Sequence, residues 1–259
     1  MMYFTNLTDI ASVKAQQQQD PTKLNGGSIM AMAGKNCVAI AVDKRFGSGP
    51  QTINIAPRTV LIPHSRVLVG FTGLEGDIQT LASELSTLVA EKKGRHLGFG
   101  FESGDNSSYK SYRDISPKSM SMVLSHVLYG RRRSPYYVEP IVAGLEKRIK
   151  MKKTLSPDAI DKQQNTECEY IPFLSAQDVI GAQCISNSFV CSGAASKSLY
   201  GTAEAMWKPD LEPEELIQVC GRAFLSALER DCLSGYGAII YLLVGGQGVT
   251  EIDLACRTD

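Results

Sequence analysis

Gly27-Ser28-Ile29-Met30-Ala31-Met32-Ala33-Gly34-Lys35-Asn36-Cys37-Val38-Ala39-Ile40-Ala41-Val42-Asp43-Lys44-Arg45 is the stretch on which the fold turns. Its first part, Ser28 to Ala33, is short and apolar. Gly34-Lys35-Asn36 then offers turn chemistry, and Cys37 to Val42 resumes an apolar run of strand length. The pattern is that of a β-hairpin. A second pair of runs, Thr59 to Ile62 and Arg66 to Thr72, brackets Pro63-His64-Ser65, which suits another hairpin with Pro63 outside the ladder.

Beyond Gly73 the period changes. Ile78, Leu81, Ala82, Leu85, Leu88 and Val89 recur at helical spacing and predict an amphipathic helix from about Gly76 to Lys92. Met120, Val123, Leu124, Val127 and Leu128 predict a second, started by Ser116-Pro117. Between them Gly94 to Arg113 is rich in Gly and Ser and reads as a surface insertion. Strands are expected at Glu139 to Gly144, Tyr170 to Ala176, Asp178 to Gly181 and Phe189 to Ser192, with the polar run Lys147 to Cys168 as a solvated loop. Helices follow at about Ala194 to Trp207 and from Pro213 to about Asp231, the latter with Glu212, Glu214 and Glu215 near its positive dipole end. The last strands are Ala238 to Val244 and Thr250 to Ala255. Strands, two helices, strands, two helices and strands fit an α+β architecture: two antiparallel sheets face to face with helix pairs outside, a four-layer αββα sandwich.

Composition narrows the function. Lys plus Arg and Asp plus Glu each number 27 in 259 residues, so the formal charge is zero and no basic excess is available for a nucleic acid or an anionic bilayer. No apolar run approaches the ~20 residues of a membrane span. Residues 1–25 form a polar extension without a secretory layout, and residues 26–259 read as one domain with insertions at 94–113 and 147–168. Cys37, Cys168, Cys184, Cys191, Cys220, Cys232 and Cys256 are odd in number and contain no C-x-x-C pair, which points to reduced thiols. His64, His96 and His126 lack paired ligand spacing, so neither a metal nor another cofactor is expected.

The opening stretch resembles the start of a proteasome β subunit, a family of N-terminal nucleophile hydrolases. Gly73-Leu74-Glu75-Gly76-Asp77, Ser192-Gly193 and Arg230-Asp231-Cys232-Leu233-Ser234-Gly235 resemble further motifs of that family. Asn25-Gly26-Gly27, Asp43-Lys44-Arg45-Phe46-Gly47, Ser134-Pro135-Tyr136-Tyr137-Val138-Glu139-Pro140 and Asp178-Val179-Ile180-Gly181 are most similar to its type 3 branch. The resemblance runs from Gly26 to about Asp259 and implies the same αββα sandwich. Active relatives attack with an N-terminal threonine freed by cleavage after glycine. Its α-amine, with an ordinary pKa near ~8, serves as the base. An aspartate sixteen residues on and a lysine sixteen beyond that assist it.

Sixteen residues before Asp43 stands Gly27, which has no nucleophile, and sixteen after it stands Thr59, or Arg58 if the loop is one residue different, in place of the lysine. Asp43, Ser192, Asp231 and Ser234 match supporting positions. Ser28 is a poor substitute, because alternation along a strand turns its hydroxyl away from the Asp43 side, and Thr22 follows Pro21, which is not the cleavage context. The resemblance therefore implies a non-catalytic structural subunit with no catalytic residues of its own. It also implies type 2 and type 4 β neighbours in a seven-membered ring, contacts to an α ring and to the opposite β ring, and residence in cytoplasm and nucleus. Asp178 stands where the type 3 branch lines the adjacent type 2 subunit's trypsin-like pocket. The remaining alternative is an active peptidase with an unusual nucleophile.

Overall fold

A computed structural model describes residues 24–55, 59–95, 115–150 and 167–255. The opening hairpin forms as the sequence reading expects: β1 (Ser28–Gly34) pairs antiparallel with β2 (Cys37–Asp43), and Asn36 takes the left-handed conformation at the turn. After β3 (Arg45–Ser48), β4 (Gln51–Ile55), β5 (Val60–His64) and β6 (Val67–Gly73) come two helices, α1 (Glu75–Arg95) and α2 (Pro117–Gly130). Four strands follow, β7 (Val138–Lys150), β8 (Glu167–Gln177), β9 (Gln183–Ser186) and β10 (Phe189–Gly193), then α3 (Ser196–Met206), α4 (Pro213–Leu228), β11 (Ala238–Val244) and β12 (Gly248–Leu254).

One five-stranded sheet has the order β10-β1-β2-β11-β12, another β5-β6-β7-β8-β9, and β3 and β4 pair as a separate ribbon. Every pairing is antiparallel, so the chain is an α+β protein. Side-chain alternation along β1 and β2 assigns their residues to two different apolar clusters. Ile29, Ala31, Val38 and Ile40 pack with Leu68, Ile141, Ala143 and Leu174 of the second sheet. Met30, Met32, Ala39 and Ala41 pack with Leu199, Ala203, Leu216 and Phe224 of α3 and α4. The other face of the second sheet, through Val67, Val69, Phe71 and Val142, meets Leu81, Leu85, Leu124 and Leu128 of α1 and α2.

Local chemistry sets the helix ends. Ser116 accepts the Ser119 N–H at 3.1 Å with Pro117 opening α2, and Glu214 and Glu215 sit in the first turn of α4. The sequence reading carried α4 to Asp231, but the helix stops at Leu228. Arg230 and Asp231 donate to Ala227 and Leu228, three residues back, which tightens the chain out of the α-helix.

Three further expectations are corrected. Asp178 to Gly181 is a turn and not a strand: the Asp178 carboxylate accepts the N–H groups of Ile180 and Ala182. The polar run from Lys147 begins inside a strand, because β7 continues to Lys150 and β8 starts at Glu167, with Arg148 opposite Glu169 and Lys150 opposite Glu167. Residues 151–166 of that expected loop, and 96–114 of the other insertion, lie outside the described residues, as do residues 1–23, Arg58 and His96. Finally, the sequence reading does not predict the β3–β4 ribbon and β9, since β4 and β9 are largely exposed and the four residues of β3 are too few to show an apolar period.

Gly70 in β6 lies under Ile29 of the facing sheet, and a Cβ there would overlap Ile29 Cδ1. Ile29 is fully buried, so it has no solvent to move into. Gly70→Ala is therefore expected to destabilise the chain by about 1–3 kcal/mol. Ile29→Val, which deletes the overlapping atom, should recover most of that loss in the double variant. Thermal unfolding of assembled particles carrying each variant measures both. Additive losses in the double variant would contradict the overlap.

Candidate functional site

The chain enters β1 through Asn25-Gly26-Gly27. Asn25 holds this entry from both sides: its Nδ2 donates to the Gly47 carbonyl at 3.0 Å, and its Oδ1 accepts the Glu75 N–H at 2.9 Å at the start of α1. Gly26 and Gly27 have φ of 72° and 90°, the left-handed region that disfavours side chains. A Cβ at Gly26 would also strike the Leu233 carbonyl. The Gly27 N–H donates to that carbonyl at 3.3 Å, and the Gly27 carbonyl accepts the Ala194 N–H at 3.0 Å.

At the end of β2, Asp43 is 4% exposed. Its Oδ1 accepts the Ser28 N–H at 3.2 Å, while Oδ2 has no hydrogen-bond partner among the described residues. A Cβ placed on Gly27 would stand 3.5 Å from Asp43 Oδ1, so the two positions paired by counting in the sequence are neighbours in space. Burial pushes the Asp43 carboxyl up to about 7. The Ser28 and Gly235 backbones, the Ser234 hydroxyl and the Arg45 guanidinium pull it the other way without cancelling the cost of desolvation. Of these, only the Ser28 N–H reaches the carboxylate in good hydrogen-bond geometry. Arg45 is itself buried and spends its donors on Thr52, Leu233 and Gly49, so it stands near Asp43 without forming an ion pair with it.

Thr59, just ahead of β5, accepts the Phe71 N–H on its backbone carbonyl at 2.8 Å. Its hydroxyl is buried and unpartnered. Gly27, Asp43, Arg45, Thr59 and Thr72 line one cavity of about 20 Å³. Ser28 lines it too, whereas Ser192, Asp231 and Ser234 are not among its lining residues. Ser28 Oγ is 2.8 Å from Ser234 Oγ and accepts the Ala195 N–H, and Ser234 donates to Asp231 at 2.6 Å. This chain of hydroxyls ties the first residue of β1 to the residue before α3 and to the segment after α4. Ser192 is 2.9 Å from Thr72 Oγ1 and donates to the Glu139 carboxylate. Sequence reasoning missed Thr72 and Glu139, which sit within strands and carry no spacing signal.

A proteasome subunit family model matches residues 23–97 and 167–243. The chain belongs to the proteasome subunit family. Among its curated relatives, proteasome subunit beta type-3-A of Arabidopsis thaliana is 37% identical over 85% of this chain and 90% of the relative. Proteasome subunit beta type-3 of Drosophila melanogaster is 36% identical over 91% of this chain and 97% of its own length, and that of Trypanosoma brucei brucei is 33% identical over 88% and 94%. The proteasome match contains Gly27, Asp43, Thr59, Asp178, Ser192, Asp231 and Ser234.

Among the described residues of this proteasome fold, no side-chain nucleophile stands at the Gly27 position, and the hydroxyl residues that line the cavity are Ser28, Thr59 and Thr72. Gly27 presents hydrogen, and Ser28 points its hydroxyl to Ser234. The buried thiols are raised to about 11 at Cys37 and about 12 at Cys191 and Cys220, far above the range of a nucleophilic thiolate. Among the described residues no cluster of His, Cys, Asp and Glu could hold a metal. A groove of about 650 Å³ between α1 and α2 is lined by Leu88, Met122, Val123 and Val127, with His126 and two glutamates, and does not include Asp43. Asp178 is exposed on its turn, remote from the cavity, with Oδ1 committed to backbone N–H groups.

The Asp43 environment makes stability depend on pH. A carboxyl near 7 in the folded chain and near ~4 in the unfolded chain keeps a proton on folding that the unfolded chain releases, so stability falls as pH rises from about 4 through 7. Asp43→Asn keeps the acceptor for Ser28 and carries no charge. It is expected to raise the unfolding temperature relative to the parent by on the order of 5 °C at pH 8, with the difference shrinking towards zero near pH 4. Thermal unfolding of purified particles across that range measures it, and a pH-independent difference would contradict it.

Proposed function

We propose that this chain is a non-catalytic structural subunit of the 20S proteasome core, of the beta type-3 kind, and that Gly27 occupies the position from which active relatives launch their nucleophile. The observation that carries this reading is the bare Gly27 position beside the buried Asp43 carboxylate, inside a matched proteasome domain. Thr59 in place of a lysine supports it further, because a neutral hydroxyl cannot polarise a nucleophile as an ammonium would. The three apolar clusters support a four-layer αββα sandwich for residues 26–259, the family's hydrolase fold kept as a building block.

In this reading the subunit sits in a seven-membered β ring between type 2 and type 4 neighbours, contacts an α ring and the opposite β ring, and helps enclose the proteolytic chamber. Free thiols at Cys37, Cys184, Cys191, Cys220 and Cys232 support a reducing compartment, cytoplasm and nucleus. Mass measurement of the mature subunit should find its amino terminus ahead of Gly27, and an epoxyketone that modifies active subunits should leave this one unmodified. A mature terminus at Ser28 or Thr22, or a covalent adduct, would establish the peptidase alternative instead.

Asp178 extends the proposal to the neighbour. One of its oxygens holds the turn, and the exposed carboxylate is free to favour basic side chains in the type 2 subunit's trypsin-like pocket. Asp178→Asn keeps a turn-capping oxygen and removes the charge. It is expected to raise KM for substrates with Arg or Lys before the cleaved bond by about two- to five-fold, as fits a partly solvated ion pair. Cleavage after apolar residues should not change. Equal effects on both substrate classes would contradict a specificity role.

A further inference from the structure

Two buried polar oxygens, Asp43 Oδ2 and Thr59 Oγ1, have no hydrogen-bond partner among the described residues, and both line the same cavity of about 20 Å³. They come from different elements, the end of β2 and the residue before β5, so no local turn accounts for the coincidence. Burying either group unsatisfied costs about 1–3 kcal/mol, and a chain that kept both would carry that penalty twice. The volume is also too small for larger ligands. A site needs about 10–15 Å³ of this kind of volume for one water, and two to four polar partners to hold it.

We propose that this cavity is a binding site for a single structural water, held by donation to Asp43 Oδ2 and by a hydrogen bond with Thr59 Oγ1, in the space that a side chain at Gly27 would otherwise crowd. The choice of ligand follows from size and charge. The volume admits one water and little more, and the Arg45 guanidinium on the cavity wall repels a monovalent cation of similar size. A neutral molecule with both donors and acceptors can pair with Asp43 Oδ2 whether or not the carboxyl carries its proton, and with the Thr59 hydroxyl at the same time. The site rests on the geometry of the degenerate centre, and it stands whether or not the subunit proves to be catalytic.

The test is the structure of the purified core particle at a resolution that shows ordered water, for the parent chain, Thr59→Ser and Thr59→Val. Expected is one density peak within 3.2 Å of both Asp43 Oδ2 and the residue 59 hydroxyl in the parent and in Thr59→Ser, and loss of that peak in Thr59→Val. Data from crystals grown in rubidium should show no anomalous signal there. A direct Asp43–Thr59 hydrogen bond, a dry cavity in the parent, a peak unchanged in Thr59→Val, or a rubidium signal would each overturn the proposal. Failure of the non-catalytic reading shows instead as a new amino terminus or an epoxyketone adduct, which this experiment does not depend on.

Discussion

The two-sided burial of the β1–β2 hairpin is the constraint from which the rest follows. Each strand gives alternate residues to two cores: Ile29 and Ile40 to the sheet opposite, Met30 and Ala41 to the helices. A slip of one residue would exchange these sets and press Met30 and Met32 into the space that Gly70 leaves for Ile29. The register is thus fixed by volume on both faces. It fixes in turn where β1 begins, and so where Gly27 and Ser28 stand relative to the end of β2.

That constraint also explains how much the sequence disclosed. The hairpin, both helix pairs and the final strands have apolar runs or periods, because they face the cores, and those can be read in one dimension. β9 and the β3–β4 ribbon cannot be read that way, since they are held by backbone pairing and by Arg45, whose guanidinium reaches three separate segments through Thr52, Leu233 and Gly49. The extension of β7 to Lys150 was hidden for a related reason. Its charged residues look like a solvated loop until the backbone of β8 is placed opposite them, with Glu169 at the register position of Arg148.

In the candidate site, the spacing that pairs Gly27 with Asp43 and Thr59 is visible along the chain, and the cavity unites all three. Ser192, Asp231 and Ser234 were legible as motif positions, but their contacts were not. Ser234 joins Ser28 to Asp231 across more than 200 residues of sequence, and Ser192 leans on Thr72 and Glu139. Such pairs depend on how the segment after α4 meets β1 and how β10 faces β6 and β7 of the other sheet, and no local pattern encodes those choices.

Retention of Asp43 without a nucleophile has a physical reason of its own. Ser28 opens β1, and its N–H points at the Asp43 carboxylate, with no ladder carbonyl to take it. Replacing the carboxylate by an apolar side chain would orphan that buried N–H, at about 1–3 kcal/mol, and would leave Thr59 facing a dry wall. The carboxyl is costly to charge but costlier to delete. The Asp43 carboxyl is thus the hydrogen-bond acceptor that seats the first residue of β1, and its raised pKa is the consequence of burial that the nearby donors and the Arg45 guanidinium do not offset.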